Sequence, residues 1–214
     1  MSKLIIEDLV VGTGAEVKAG SAVTAHYRGT LREGGAEFDS SHKRGEPANF
    51  PLSGVIVGWQ KGVPGMRIGG KRRLTVPAAM GYGSQAIRDG GKVMIPANSD
   101  LVFEIEMVAA LMVEDLVVGK GREVREGDTV TAHYRGTLLK GGKEFDSSYE
   151  SGEPAEFPLD QVIEGWQFGI PGMRVGGKRK LTIPWQMAYG EAGSPPDIPA
   201  RADLVFEVEM IGVE

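Results

Sequence analysis

The chain repeats itself at an interval of 107 residues. Val55-Ile56-Val57-Gly58-Trp59 returns as Val162-Ile163-Glu164-Gly165-Trp166, and Tyr27, Met66 and Tyr82 return at the same interval as Tyr134, Met173 and Tyr189. Self-similarity over half of a 214-residue chain calls for one domain present in two copies rather than one large domain. The repeated stretch also carries a local prediction. An apolar pair, a glycine that admits a close backbone, and then a tryptophan describe the start of a short helix whose indole roofs or floors a cavity. Trp59, Val63 and Met66 are spaced to share one helical face, while Gly62, Pro64 and Gly65 keep that helix short.

The segments around it read mostly as strand. Lys3 to Val11 alternates loosely and stops at Gly12-Thr13-Gly14; Val23 to Leu31 is rich in β-formers with period two; Asn49 to Leu52 is a short strand whose Pro51 implies an edge or a bulge. Glu37-Phe38-Asp39-Ser40-Ser41 leads into a loop ending at Gly45-Glu46-Pro47. Lys71 to Pro77 is a strand, its Lys71-Arg72-Arg73 run and the matching Lys178-Arg179-Lys180 reading as a solvated face. Ala78 to Asn98 reads as one long irregular segment, and Asp100 to Val108 alternates apolar and acidic residues to close the sheet. Each copy is therefore an α+β domain of antiparallel strands with one brief helix on one face, with boundaries at 1–109 and 110–214. Between Met107 and Val117 there is no glycine, proline or serine. The last strand of copy one is expected to run almost directly into the first of copy two; a helical connector through Ala109-Ala110-Leu111-Met112 is the competing reading.

Composition excludes several classes of function. The net charge of −5, spread through the chain, argues against a nucleic-acid binder. With no cysteine there are no disulfides, no thiol chemistry and no cysteine-ligated metal, a usage that fits a reducing, cytoplasmic setting. The first eight residues meet Glu7 and Asp8 too early for a signal-peptide core, and no apolar run is long enough to span a bilayer. Gly65 to Lys71 fits G-x-x-x-x-G-K, as does Gly172 to Lys178, but arginine stands where a phosphate loop needs Ser or Thr, and a strand follows instead of a helix. His26 and His133, each beside a strand tyrosine, read as structural residues. Trp59 or Phe103 taken alone reads as core packing.

Taken in order, the blocks carry more. His26-Tyr27-Arg28-Gly29-Thr30-Leu31, Phe38-Asp39-Ser40-Ser41, Gly45-Glu46-Pro47-Ala48-Asn49-Phe50, Val55 to Trp59, Gly81-Tyr82-Gly83, and Ile95-Pro96 followed by Leu101-Val102-Phe103-Glu104 resemble the FKBP family of peptidyl-prolyl cis-trans isomerases. Copy two resembles it in the same order, with His133 to Leu138, Phe145 to Ser148, Val162 to Trp166, Ala188-Tyr189-Gly190, Ile198-Pro199 and Leu204 to Glu207. The resemblance implies two tandem domains, each a curved antiparallel sheet wrapped around a short helix with an aromatic pocket between them. It implies Tyr27, Phe38, Val55, Ile56, Trp59, Ile95 and Phe103 as substrate-binding residues in copy one, and Tyr134, Phe145, Val162, Ile163, Trp166, Ile198 and Phe206 in copy two. Asp39 and Tyr82, with Asp146 and Tyr189, are implied as the catalytic groups, with no metal and no cofactor. The implied partners are proline-containing peptides or unfolded proteins and a rapamycin-like macrolide, with no nucleic acid and no membrane. A non-catalytic module that captures proline segments, as a chaperone or scaffold, is the alternative.

The two copies depart from the pattern differently. Copy one has Arg44, where the family often has an arginine that holds the aspartate; copy two has Ser151 there. Both carry alanine, Ala48 and Ala155, where some members place a pocket phenylalanine. Asp197 precedes Ile198-Pro199, whereas the apolar Met94 precedes Ile95-Pro96, and copy one has the longer flap, Ser84 to Met94. The expectation is that copy one is the better isomerase.

Overall fold

The computed structural model describes residues 3–214, which divide into two compact units, one ending at Ala110 and the other running Leu111–Glu214. In the first unit, β1 (Ile5–Val10), β2 (Ala22–Leu31), β3 (Glu37–Ser40) and β4 (Ala48–Pro51) precede helix α1 (Val57–Gly62). After it come β5 (Lys71–Val76), a hairpin of β6 (Ile87–Asp89) and β7 (Lys92–Ile95), and β8 (Leu101–Ala110). The main sheet is antiparallel in the order β1-β5-β8-β2-β3, with β4 pairing the N-terminal half of β2 while β3 pairs its C-terminal half. The second unit repeats this with β9 (Met112–Val117), β10 (Thr129–Leu138), β11 (Glu144–Ser147), β12 (Ala155–Pro158), α2 (Glu164–Gly169), β13 (Lys178–Ile183) and β14 (Leu204–Val213). Its order is β9-β13-β14-β10-β11, with β12 on β10. This is the α+β arrangement expected from the strand patterns.

Alternation in the central strands decides which face carries the helix. Along β8, Leu101, Phe103, Ile105 and Met107 are buried, while Val102, Glu104 and Glu106 between them are not. On β5 the buried positions are Arg72, Leu74 and Val76. Helix α1 lies on that face, and its glycines set how close it comes. A Cβ on Gly58 would stand 2.4 Å from Val76, and one on Gly62 would stand 2.7 Å from Leu74. Gly165 and Gly169 hold α2 against Ile183 and Leu181 in the same way, at 2.3 and 2.8 Å. The helix is shorter than the Trp59, Val63 and Met66 spacing suggests, since it ends at Gly62; Val63 and Met66 are buried all the same, beyond its last turn.

Three readings change. Arg72 and Arg179 are not part of a solvated face: they are only 7% and 8% exposed, because the pleat of β5 and β13 turns the middle cation of each run inward. The Arg72 guanidinium grips Asp8 of β1 at 2.6 and 3.1 Å and donates to the carbonyls of Gly62 and Pro64 at 2.7 and 3.2 Å, which satisfies a carbonyl left over at the end of α1. Its hydrogen bond holds the Asp8 carboxyl below the usual carboxylate range. Arg179 makes the same set with Asp115, Gly169 and Pro171. Second, Glu37 to Ser40 is a strand, β3, rather than the start of a loop. Third, Ala78 to Asn98 is not wholly irregular, because Gly90-Gly91, both at positive φ, turns the β6–β7 hairpin inside it. The expected direct junction stands: Leu111 alone separates β8 from β9, and the competing helical connector does not form.

The paired arginines generate a prediction. Removing Arg72 strips a carboxylate of its partner and orphans buried carbonyls, so Arg72→Met should lower the stability of its unit by about 2–3 kcal/mol. Its solvated neighbour, in Arg73→Met, should change stability far less. Urea unfolding of the full chain measures both, and equal losses would contradict the inward placement.

Candidate functional site

The geometry of the site begins with Trp59, carried by α1 and laid on the sheet by the glycine contacts. It is 4% exposed and is met edge-on by three rings from the sheet: Tyr27 of β2 at 5.6 Å, Phe50 of β4 at 5.5 Å and Phe103 of β8 at 5.4 Å between centroids. Such edge-to-face pairs favour the arrangement beyond the area they bury. Phe38 of β3 packs edge-on to Phe103 at 5.7 Å. That contact depends on Gly29 of β2, where a Cβ would stand 2.6 Å from the Phe38 ring and 3.0 Å from Phe103. Above the tryptophan is a cavity of about 280 Å³ lined by Tyr27, Phe38, Asp39, Phe50, Gly54, Val55, Ile56, Trp59, Tyr82 and Phe103. Tyr82, on the segment after β5, is 38% exposed, so the cavity is not sealed.

One carboxylate faces this apolar wall. Asp39 on β3 accepts a hydrogen bond from the Tyr27 hydroxyl and another from Arg44 at 2.8 Å, and Arg44 also donates to the Tyr27 hydroxyl at 2.8 Å. The Arg44 guanidinium lies over the Tyr27 ring at 5.5 Å. Burial works against the Asp39 charge, but the bonds from Tyr27 and Arg44 outweigh it and hold the carboxyl below its ordinary range. Burial, reinforced by the Asp39 charge, pushes the Tyr82 hydroxyl above the usual tyrosine range, and burial with the bond to Asp39 does the same for Tyr27. Both phenols therefore stay protonated, and able to donate, at neutral pH.

The second unit builds the same room. Trp166 meets Tyr134, Phe157 and Phe206 at 5.6, 5.3 and 5.3 Å, and Phe145 packs on Phe206 at 5.5 Å. The cavity is about 330 Å³, lined by Tyr134, Phe145, Asp146, Phe157, Gln161, Val162, Ile163, Trp166, Tyr189 and Phe206. Asp146 accepts from the Tyr134 hydroxyl at 2.7 Å, but Ser151 turns away and donates to the Ser148 carbonyl at 2.9 Å. Among the described residues, Asp146 forms no ion pair.

Most residues expected at the two sites are thus brought together. Ile95 and Ile198 are not on either cavity wall; they are buried in the packing instead. Phe50 and Phe157 were not anticipated as walls, although their 107-residue offset and their place two residues after Ala48 and Ala155, on the same side of a strand, were visible. Gly54 and Gln161 carried no comparable signal. His26 and His133 do serve structure: their Nδ1 atoms lie 3.1 and 3.0 Å from the hydroxyls of Ser41 and Ser148, which accept the backbone N–H of Tyr27 and Tyr134. A larger cleft of about 810 Å³, at Leu31–Glu33 and Pro96–Asp100, has polar walls with an Arg32–Asp100 ion pair and no aromatic ring.

Comparison with known proteins gives the family. The sequence profile of the FKBP-type peptidyl-prolyl cis-trans isomerase family matches twice, over residues 14–108 and 120–211. A probable FK506-binding protein of Corynebacterium glutamicum is 48% identical over 101 residues, 47% of this chain and 85% of that protein. Peptidyl-prolyl cis-trans isomerase FPR2 of Saccharomyces cerevisiae is 48% identical over 124 residues, 57% of this chain and 87% of its own. Peptidyl-prolyl cis-trans isomerase FKBP10 of Homo sapiens is 33% identical over 97% of this chain, which spans only 37% of that protein. The crystal structure of three FKBP domains of a wheat protein aligns with 99% of this chain and 94% of its own at 26% identity, with a TM-score of 0.48. With the profile matched in both copies, the chain belongs to the family of FKBP-type peptidyl-prolyl cis-trans isomerases.

Proposed function

We propose that each aromatic cavity binds a proline-containing segment and speeds rotation about its X-Pro bond, with the first unit the more active. Rotation has to break amide resonance across a barrier of about 18–20 kcal/mol, and no covalent bond changes. In the twisted transition state the carbonyl has lost resonance polarity and depends less on water. A dry wall of Tyr27, Phe38, Trp59 and Phe103 therefore favours it over the planar ground state, which is catalysis by differential binding. The observation that carries the reading is that ring-walled room beside a single carboxylate, Asp39, and a protonated phenol, Tyr82. Tyr82 would donate to a substrate carbonyl and Asp39 would orient the peptide; Tyr189 and Asp146 would do so in the second unit. A rapamycin-like macrolide would compete for the same walls.

The ranking of the units rests on Arg44. With Tyr27 it holds the Asp39 carboxylate from two sides, whereas Asp146 is held by Tyr134 alone among these groups, and a fixed group loses less freedom on reaching the transition state. In the full chain, Asp39→Ala should remove the larger share of kcat/KM toward a proline tetrapeptide, lowering it about tenfold, or about 1.4 kcal/mol. Asp146→Ala should lower it less than twofold. Equal losses would overturn the ranking, and absence of turnover in the parent with peptide binding intact would make the cavities capture sites.

The phenols yield a pH prediction. Burial is the leading cause raising all five tyrosines, Tyr27, Tyr82, Tyr134, Tyr149 and Tyr189. A group whose folded pKa is raised stabilises the fold fully below its unfolded value, here about 10, and that contribution is lost as pH rises through the folded value. Tyrosinate absorbance at 295 nm should therefore show no group titrating near pH 10 in the folded chain and all five doing so in urea. Tyr27, Tyr82, Tyr134 or Tyr189 titrating at the free value in the folded chain would show its cavity open to bulk water.

A further inference from the structure

We infer that the two cavities sort their substrates by charge, the second unit preferring prolines flanked by Lys or Arg and the first having no such preference. The inference rests on the proposed proline-binding function and adds the substrate class of each site. The net charge of −5 conceals an uneven division. Residues 1–110 hold thirteen Lys and Arg against eleven Asp and Glu, a net of +2, and residues 111–214 hold eleven against eighteen, a net of −7. Part of that difference lies at the cavities themselves. Asp39 in the first wall is paired with Arg44 at 2.8 Å, while among the described residues the matching Asp146 has no cation paired with it, Ser151 bonding the Ser148 carbonyl instead.

One further position, ahead of the wall pairs Val55-Ile56 and Val162-Ile163, acts in the same direction. Before the wall pair, Ser53 and Gly54 become Asp160 and Gln161, with Asp160 exposed. Asp197 adds nothing, because Lys143 pairs with it at 3.3 Å. A cation carried next to the proline would thus meet negative charge at Asp146 of β11 and at Asp160 beside the second cavity, and an ion pair and uncharged residues at the first. Ser151 and Asp160 are specificity residues in this account; neither is asked to touch the rotating bond.

Trp59 and Trp166 floor the two cavities, so their indole N–H signals report each site separately in the intact chain. Capped tetrapeptides Ala-Lys-Pro-Phe, Ala-Leu-Pro-Phe and Ala-Glu-Pro-Phe are titrated into ¹⁵N-labelled protein. At low ionic strength the Trp166 signal should report the lysine peptide binding about fivefold more tightly than the glutamate peptide, and the ratio should shrink as salt is raised. The Trp59 signal should report a ratio near one. Ser151→Arg should abolish the preference at Trp166, and Arg44→Ser should create one at Trp59. Equal affinities for the lysine and glutamate peptides at Trp166, the same preference at both indoles, or a preference untouched by Ser151→Arg would each overturn the sorting while leaving the proline sites standing. If neither indole responds to any of the peptides, the proposed proline sites fail, and the sorting with them.

Discussion

The whole arrangement depends on how closely one short helix can approach a sheet. Helix α1 has six residues, too few to hold itself together in water, so its stability comes from the face it buries. Gly58 and Gly62 bring its backbone onto Val76 and Leu74 at distances that no side chain would permit. At that separation Trp59 reaches the edges of Tyr27, Phe50 and Phe103; a helix standing one methyl group farther out would lift the indole from all three. Arg72 secures the same approach at the helix's far end, tying the carbonyls of Gly62 and Pro64 to Asp8 on the edge strand. A cavity floored by an aromatic ring is the consequence of that seat, and it recurs wherever Gly165, Gly169 and Arg179 recur.

That logic also explains what could be read from the residues in order. Strands such as β8 declare themselves because burial on one face alternates with acid on the other, and the Gly-Trp step marked the helix because a bare backbone beside a large ring has few other uses. What escaped was information that depends on a partner. The run Lys71-Arg72-Arg73 has the same charge at every position, so only the pleat, not the composition, distinguishes the buried middle cation from its solvated neighbours. Phe50 is one strand residue among several until β4 folds back on β2 and points it at Trp59. Ile95 belongs to a recognisable block, yet whether it lines a cavity or fills the space behind one is decided by distances that no local pattern contains. The β6–β7 hairpin was different: Gly90-Gly91 between short β-capable runs is a turn signal, outweighed by the glycine and proline on either side of it.

Comparing the two units separates what the fold demands from what it permits. His26 is stacked on His42 at 4.6 Å, and His133 is stacked on Tyr149 at 4.7 Å. The ring on top differs in chemistry, but it is flat and stacked at nearly the same height in both units, so that position is constrained by shape. The tyrosine hydroxyl that bonds a carboxylate is likewise present twice, because a phenol withdrawn from water needs an acceptor. Arg44 has no such equivalent. Ser151 fills its place by bonding the local backbone, and the surrounding strands keep their register in both units.

An arginine that the fold does without is contributing something other than packing. What it contributes at Asp39 is electrostatic: it cancels a charge at the mouth of a cavity whose other walls are hydrocarbon. Low-polarity walls make that cancellation matter more than it would on open surface, since a charge beside them is screened by fewer waters. The same walls appear in the second unit around an uncancelled carboxylate, with the surrounding surface more acidic as well. Two rooms of nearly equal shape, about 280 and 330 Å³, are therefore electrostatically unlike. Shape sets what both can hold, and the fields at their mouths set which version of it each holds best.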